Sequence, residues 1–467
     1  METAPRRQKC IVTFARSWNG VAATRCLGKH GIHVITGDVD AVAAANFSRY
    51  SKEHFVYPDP NTDPDGFIDK LIEVARAHAA PDTDLVLMPL FTDIYPIICH
   101  KERFGGLAKL ALPPKKAYEV VRSKSQLVAL CKDHKVRIPR TVVISSFKEF
   151  CRRGRTMKYP AFVKIPTGSA AIGTQKVSSF GEAVAVFDNM KKRYNIDERS
   201  LLPILQECVG GDDYCCTYIF EKGKCRASMT YHNIVEFPRK GGMGALRETV
   251  DASVPEKIGA RLMGELKWHG VCEIDFRWDG VSRPWLIEIN PRFWGGLAQS
   301  IESGWVYPYW LYRLAVDSRM EAQKPERIEV RTSNPGLMVL RMIQDFKEAK
   351  DSMPEIAGAY DEFHAEKKAR DLAAVVKLLK RVSGAVDLKA RLAKKLEEQV
   401  PLEARRRRGV ELRMLKEKLG RAEKAAGELR DRAKRRAQRQ HGSSSGTSTD
   451  SKRPSSRIFD RESFRHE

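Results

Sequence analysis

The 467-residue chain has no run of about 18 apolar residues, which excludes a membrane-spanning helix. No apolar stretch of signal-peptide type follows the charged start Met1 to Lys9, so no cleaved leader is expected. The ten cysteines, at 10, 26, 99, 131, 151, 208, 215, 216, 225 and 272, include no CxxC pair and stand near no His at zinc-ligand spacing. A disulfide scaffold and a structural zinc are thereby excluded. Thiols set in apolar runs such as Cys10-Ile11-Val12 fit a reducing, cytoplasmic compartment. The loops after the first strands carry no GxGxxG, and no GK[ST] closes a Walker A loop.

What is present is globular. Hydrophobic residues make up 42% and charged residues 30%, and the length suits two to four units. The net charge of +23 is uneven: residues 366–467 hold 30 Lys or Arg against 15 Asp or Glu, a net of +15, which leaves +8 for the first 365. Leu388, Leu392 and Leu396, then Leu412, Leu415 and Leu419, mark two basic amphipathic helices within 366–440. Residues 441–467 read as a disordered tail, low in complexity from His441 to Ser456. Arg405 to Arg408 and Lys434-Arg435-Arg436 suit contact with a polyanion such as nucleic acid or an acidic membrane surface.

The first hundred residues alternate strand and helix patterns: Cys10–Phe14, Val21–His30, His33–Thr36, Gly66–His78 and Leu85–Met88. This α/β alternation predicts a Rossmann-like parallel sheet over 8–115, binding ligands at its strand carboxyl ends. Ser17, Asn19 and Asp93 stand there, as acceptor-substrate contacts or as loop caps. A helix from Ala117 to His134 carries Lys124 and precedes a mixed α+β region. That region includes strands at Thr141–Ile144, Ala161–Ile165, Leu202–Cys208, Tyr214–Phe220, Lys224–Tyr231, Val271–Trp278 and Trp285–Ile289.

Two constellations carry chemistry. Lys164 ends a strand and is followed by Thr167-Gly168-Ser169-Ala170-Ala171-Ile172-Gly173, whose small residues let backbone N–H groups approach a polyphosphate while the ammonium supplies charge. Further on, Glu273-Ile274-Asp275-Phe276 and Leu286-Ile287-Glu288-Ile289-Asn290-Pro291-Arg292 form two strands joined by an Asp279-Gly280 turn. Period-two alternation brings Asp275 near Glu288 with Asn290 one pleat on. Two carboxylates and an amide oxygen suit Mg²⁺. Glu273 shares the face of Asp275 and is the alternative first ligand. Arg292 stands ready for a phosphoryl group or a carboxylate.

Lys124, the Lys164 strand and loop, Gln206-Glu207-Cys208-Val209-Gly210-Gly211-Asp212-Asp213, Glu273-Ile274-Asp275-Phe276 and Ile287-Glu288-Ile289-Asn290-Pro291-Arg292 occur in the order of the ATP-grasp superfamily. Over residues 8–320 the chain resembles a carboxylate-amine ligase with an ATP domain of the carbamoyl-phosphate-synthase and biotin-carboxylase type. The resemblance implies a pre-ATP-grasp domain at 8–115, a two-subdomain ATP-grasp domain at 116–330 and the end of the catalytic core at 331–365. It implies that Lys124 and Lys164 contact ATP phosphates under a mobile loop containing Thr167, Gly168, Ser169 and Gly173. Gln206, Glu207, Cys208 and Val209 would form the hinge that binds adenine, and Asp213 would meet the ribose, although the family commonly has Glu there. Asp275, Glu288 and Asn290 would hold one or two Mg²⁺ ions, with Mn²⁺ as a substitute. Arg292 and Lys164 would be the catalytic cations.

The implied reaction is ADP-forming ligation of a small carboxylic acid to an amine through an acylphosphate, in a protein open to homo-oligomerisation. The acceptor is expected near Pro238 to Gly242, Arg247 and Trp294 to Ser300, with Arg239, Lys240 and Arg247 as anion holders and Trp294, Trp305 and Trp310 as packing residues. Cys208, Cys215 and Cys216 are expected to pack. Two alternatives stand beside this: a bicarbonate-using carboxylase or carbamoyl phosphate former, disfavoured by the lack of a biotin-carrier Met-Lys-Met and a glutaminase module, and a polyanion-binding protein with a vestigial ATP-grasp domain.

Overall fold

The apolar run at Cys10 to Val12 becomes an inner strand of a parallel sheet. The computed structural model describes residues 6–166, 173–194, 196, 202–238, 242–326, 330–338, 340–341 and 359–361. The basic helices expected at 366–440 and the tail at 441–467 lie outside these residues. All described residues fall in the first of two compact units, Met1–Leu378.

Strands β1 (Arg7–Val12), β2 (His33–Asp38), β3 (Ser51–Val56) and β4 (Thr83–Met88) form a parallel sheet in the order β3-β2-β1-β4. Helices α1 (Trp18–Lys29), α2 (Pro64–His78) and α3 (Ile94–Cys99) supply its connections and flank. The first helix begins three residues before its apolar pattern, because Ser17 Oγ accepts from the Gly20 N–H at 3.0 Å and caps it.

The single helix expected from Ala117 to His134 is two: α4 (Lys115–Arg122) and α5 (Lys124–Asp133). Ser123 separates them in an extended conformation and caps the second through its side chain. A four-stranded sheet follows, ordered β5-β8-β6-β7, from β5 (Thr141–Val142), β6 (Ala161–Lys164), β7 (Thr174–Val177) and β8 (Ile204–Glu207). Helices α6 (Phe147–Gly154) and α7 (Phe180–Arg193) cover it, burying Phe150 and Phe187 against Val163 and Leu205.

The largest sheet joins β9 (Asp212–Glu221), β10 (Lys224–Phe237), β11 (Met243–Val250), β12 (Gly270–Trp278), β13 (Trp285–Asn290), β14 (Arg331–Ser333) and β15 (Ala359–Asp361), in the order β13-β12-β9-β10-β11-β14-β15. Helix α8 (Ser253–Glu265) packs Leu262 and Met263 against Tyr218, Ile274 and Phe276 on one face. Helices α9 (Leu297–Glu302) and α10 (Tyr307–Asp317) close the other, with Trp294, Trp305 and Trp310 in the core, as expected of packing residues. Helix α10 also reaches the N-terminal sheet: Tyr312 OH donates to Asp84 O at 2.8 Å, and Leu311 shares a core with Val86 and Met88. This shared core holds the carboxyl ends of β1 and β4 beside the end of β13.

Candidate active site

The site is built from three sheets. In β12 alternation sends Cys272, Ile274 and Phe276 into the core beneath α8 and leaves Glu273 and Asp275 on the opposite face. Antiparallel pairing with β13 sets Asp275 opposite Glu288 and Glu273 opposite Asn290, the register the sequence predicts. Asn290 Nδ2 stands among the three acids, 3.1 Å from Glu273 Oε2, 3.1 Å from Asp275 Oδ2 and 3.4 Å from Glu288 Oε1. Asn290 Oδ1 accepts from Arg292 Nη2 at 2.8 Å, and Arg292 Nη1 donates to Phe293 O at 2.7 Å. Tyr231, which the sequence reading did not single out, donates to Glu273 Oε1 at 2.5 Å.

Crowding these acids is costly. Burial pushes the Glu273 carboxyl up to about 7, against the opposing effects of the Tyr231 hydrogen bond and the Arg292 charge. Asp275 is raised well above the carboxylate range, first by burial and then by the charges of Glu273 and Glu288. Its Oδ1 is buried without a hydrogen-bond partner among the described residues. An orphaned acceptor among like charges is what a hard divalent cation completes, so the donor set fits Mg²⁺. Asp275 and Glu288 offer oxygens directly. Asn290 faces the acids with its NH₂, so ligation through its oxygen requires a half-turn of the amide. Cys215 Sγ lies within 4.8 Å of the Glu273 and Asp275 oxygens, and burial raises its pKa well above the thiol range, leaving it neutral.

Facing the acids are the lysines. Lys164 Nζ donates to Gln206 Oε1 at 2.7 Å, and Gln206 Nε2 donates to Thr141 Oγ1 at 2.9 Å, so the ammonium is buried but aimed. Burial lowers its pKa to about 8; Glu288 pulls upward and Lys124 pushes further down. Lys124 opens α5, its N–H donating to Pro166 O at 3.2 Å, and its pKa is likewise lowered by burial and partly restored by Glu288. Lys124, Lys164, Glu288, Asn290 and Arg292 line one cavity of about 310 Å³.

A second cavity, of about 430 Å³, is lined by Lys164, Gln206, Glu207, Cys208, Val209, Asp213 and Ile287, and shares Lys164, Gln206 and Ile287 with the first. In this segment the Glu207 and Cys208 N–H groups donate to Arg140 O and Pro160 O, whereas the Val209 N–H has no hydrogen-bond partner among the described residues. Asp213 accepts from Asn233 Nδ2 at 2.7 Å. Thr167, Gly168 and Ser169 lie outside the described residues. Gly173 ends their loop at φ +69°, where a Cβ would meet the Ile165 side chain.

The acceptor surroundings differ from expectation. Arg247 is a buried strand residue of β11, and the segment from Trp294 to Ser300 packs inward, with Trp294 Nε1 donating to Ser300 Oγ. Arg239 and Lys240 lie outside the described residues. Beside Arg292 the 310 Å³ cavity is bounded by Asn61 and Thr92 from loops of the N-terminal sheet and by Tyr95, Tyr118 and Arg122. Ser17 and Asp93 serve their own loops: Asp93 accepts from the Phe91 N–H and from Thr13 Oγ1. Those loops reach Arg292 through a stack. The Arg292 guanidinium lies 4.6 Å from the Phe91 ring, Phe91 stacks on Phe14 at 4.7 Å, and Arg16 covers Phe14 at 4.3 Å while pairing with Asp38 at 2.7 Å.

This arrangement, a parallel α/β sheet leading into two largely antiparallel sheets that enclose paired lysines and facing acids, is the ATP-grasp fold. Residues 227–335 match the family model described as ATP-grasp in the biosynthetic pathway with Ter operon. The biotin carboxylase domain of Hydrogenobacter thermophilus 2-oxoglutarate carboxylase, in complex with MgADP, is similar at TM-score 0.57 and 12% identity over 70% of this chain and 74% of that one. Biotin carboxylase from Campylobacter jejuni is similar at 0.56 and 13% over 69% and 74%. N5-carboxyaminoimidazole ribonucleotide synthetase from Thermus thermophilus is similar at 0.53 and 16% over 70% and 83%. No curated protein matches by sequence. No helix among the described residues is long and apolar enough to cross a membrane.

Proposed function

We propose that the protein is an ATP- and Mg²⁺-dependent ligase that activates a small carboxylic acid as an acylphosphate and joins it to an amine, releasing ADP. The observation that carries this reading is the meeting of Lys124, Lys164 and Arg292 along one cavity with Glu288, the cross-strand partner of Asp275. In this reading the adenine lies at the hinge against Ile287, with the open Val209 N–H as its donor and Asp213 near the ribose. Lys124 and Lys164 hold the phosphates, and the Gln206 bond keeps the Lys164 ammonium on target. Asp275 and Glu288, with Asn290 once its amide turns, would hold Mg²⁺, which would supply positive charge to offset that of the phosphates. Arg292 meets the substrate carboxylate and steadies the γ-phosphoryl as a carboxylate oxygen bonds to phosphorus and the bond to the ADP oxygen breaks. The amine nitrogen then bonds to the acyl carbon, phosphate leaves and the amine loses a proton. Fixed charge and alignment, rather than a covalent nucleophile, supply the acceleration.

Solved proteins of this fold include one in complex with MgADP, which supports the use of nucleotide and magnesium. The test is to incubate the protein with Mg-ATP and pools of carboxylic acids and amines, measuring ADP against AMP and trapping acylphosphate with hydroxylamine. Acid-dependent ADP with hydroxamate is expected; AMP would mean adenylation and would overturn the route.

A further inference from the structure

The 310 Å³ cavity carries more positive charge than the proposed nucleotide and metal chemistry uses. Its lining holds Arg122, Lys124, Lys164 and Arg292 against one carboxylate, Glu288. Lys124 and Lys164 face Glu288 and are assigned to phosphates. Arg292 hydrogen-bonds to neutral acceptors, Asn290 Oδ1 and Phe293 O, and remains available to a reacting carboxylate. Arg122 is left over.

The position of Arg122 is prepared. It is the last residue of α4, and its guanidinium lies 4.4 Å from the centre of the Tyr95 ring. Tyr95 is itself fixed: its hydroxyl donates to Glu119 Oε1 at 3.0 Å and its ring stacks on Tyr118 at 5.6 Å. A cation over an aromatic face keeps its charge while losing rotational freedom. Among the described residues the Arg122 guanidinium has no carboxylate partner and makes no hydrogen bond. Tyr118, buried in the same wall, lies within electrostatic reach of both Arg122 and Arg292, so the two guanidiniums flank one tyrosine. The cavity thus has two anion-seeking ends, with Thr92 and Asn61 at its rim.

We propose that the acid taken into this cavity carries a second anionic group, a carboxylate or a phosphate, held by Arg122 while Arg292 receives the reacting carboxylate. This rests on the ligase reading above and narrows its substrate to doubly acidic molecules. Tyr95 is a positioning residue that holds the guanidinium in place.

The test measures binding, so it does not depend on turnover. The full chain is titrated by calorimetry with Mg²⁺ and β,γ-imido-ATP, then with matched acids: glutarate against valerate, adipate against hexanoate, and 3-phosphoglycerate against glycerate. The first two pairs probe a second carboxylate and the last a phosphate. At least one doubly acidic member should bind about tenfold or more tighter than its partner, the size expected of a charge-assisted hydrogen bond. Arg122→Met should reduce that preference to within about twofold, and Arg122→Lys should keep part of it, because the charge remains but the planar fork is lost. Equal binding of all pairs, or a preference that survives Arg122→Met, would overturn the proposal. So would an Arg122→Met variant that loses affinity for the nucleotide instead of the acid, since Arg122 would then be a phosphate ligand. If the acids discriminate through Arg122 but the nucleotide does not bind, the anion site stands and the ligase reading falls. If the nucleotide binds and no acid discriminates, the anion site falls and the ligase reading stands.

Discussion

Asp275 and Glu288 are direct cross-strand partners of β12 and β13, and the amide of Asn290 donates to both. Side chains directly opposite on adjacent strands have Cβ atoms about 4.5–5.5 Å apart, so like charges placed there repel unless something positive joins them. Glu288→Gln removes one charge and keeps the shape. The expected result is a fall of about a hundredfold or more in acid-dependent ADP formation, the scale on which loss of transition-state charge stabilisation is felt. In a melting experiment without magnesium the variant should be no less stable than the wild type, because a repulsion has been relieved. Unchanged turnover would end the assignment of Glu288 to the metal.

Lys164 predicts a pH signature. With its pKa lowered to about 8 in the free protein, the ammonium proposed to hold a phosphate is full below that pH and lost above it. Phosphate contact raises the pKa again, so nucleotide binding should take up a proton above pH 8 and weaken as pH rises. Calorimetry in buffers of different ionisation enthalpy measures that uptake. Lys164→Met should weaken ATP binding about tenfold to a hundredfold and abolish the uptake, since a charged hydrogen bond of this kind is worth about 1.5–3 kcal/mol.

The acids predict the opposite window. Glu273 titrates near 7 and Asp275 is raised as well, above their values in an unfolded chain. Groups raised in this way stabilise the fold at low pH and lose that contribution as pH rises through the folded pKa. The magnesium-free protein should therefore melt at progressively lower temperature as pH climbs from the ordinary carboxylate value toward about 7, where Glu273 has ionised. Mg²⁺ should raise the melting temperature more at pH 8 than at pH 6, and its binding should release protons below about pH 7. A magnesium effect independent of pH would contradict the assignment.

Tyr231→Phe tests the support beneath the acids. The phenol holds the Glu273 pKa down, so its loss should move the onset of the magnesium effect to higher pH and destabilise the fold by about 1–3 kcal/mol, the cost of an unsatisfied buried acceptor. Denaturant melts and the pH series measure the two effects separately.

The acidic hairpin was legible because Glu273, Asp275, Glu288 and Asn290 interrupt apolar strands at period two, which fixes both face and register. Lys164 was legible as a strand-end cation, but its bond to the side chain of Gln206 was not, since nothing in a hinge-like sequence says which way a glutamine turns. Tyr231 and Arg122 were missed for a related reason: their roles arise from β9 setting β10 one strand away from β12 in the same sheet and from α4 lying near Tyr95 of α3, both long-range packing. Strand β3, Ser-Lys-Glu-His-Phe-Val, lacks an apolar run because it lies at a sheet edge. Helix α8 carries a proline in its first turn and two glycines, which mask its period. Arg247 reads as an exposed cation because a guanidinium is ordinarily solvated, yet the sheet buries it.

The column formed by Arg16, Phe14, Phe91 and Arg292 limits how this protein can be engineered. The N-terminal module is not an interchangeable cassette: a transplanted replacement would leave Arg292 without its aromatic platform unless the graft also supplied rings at the positions of Phe14 and Phe91.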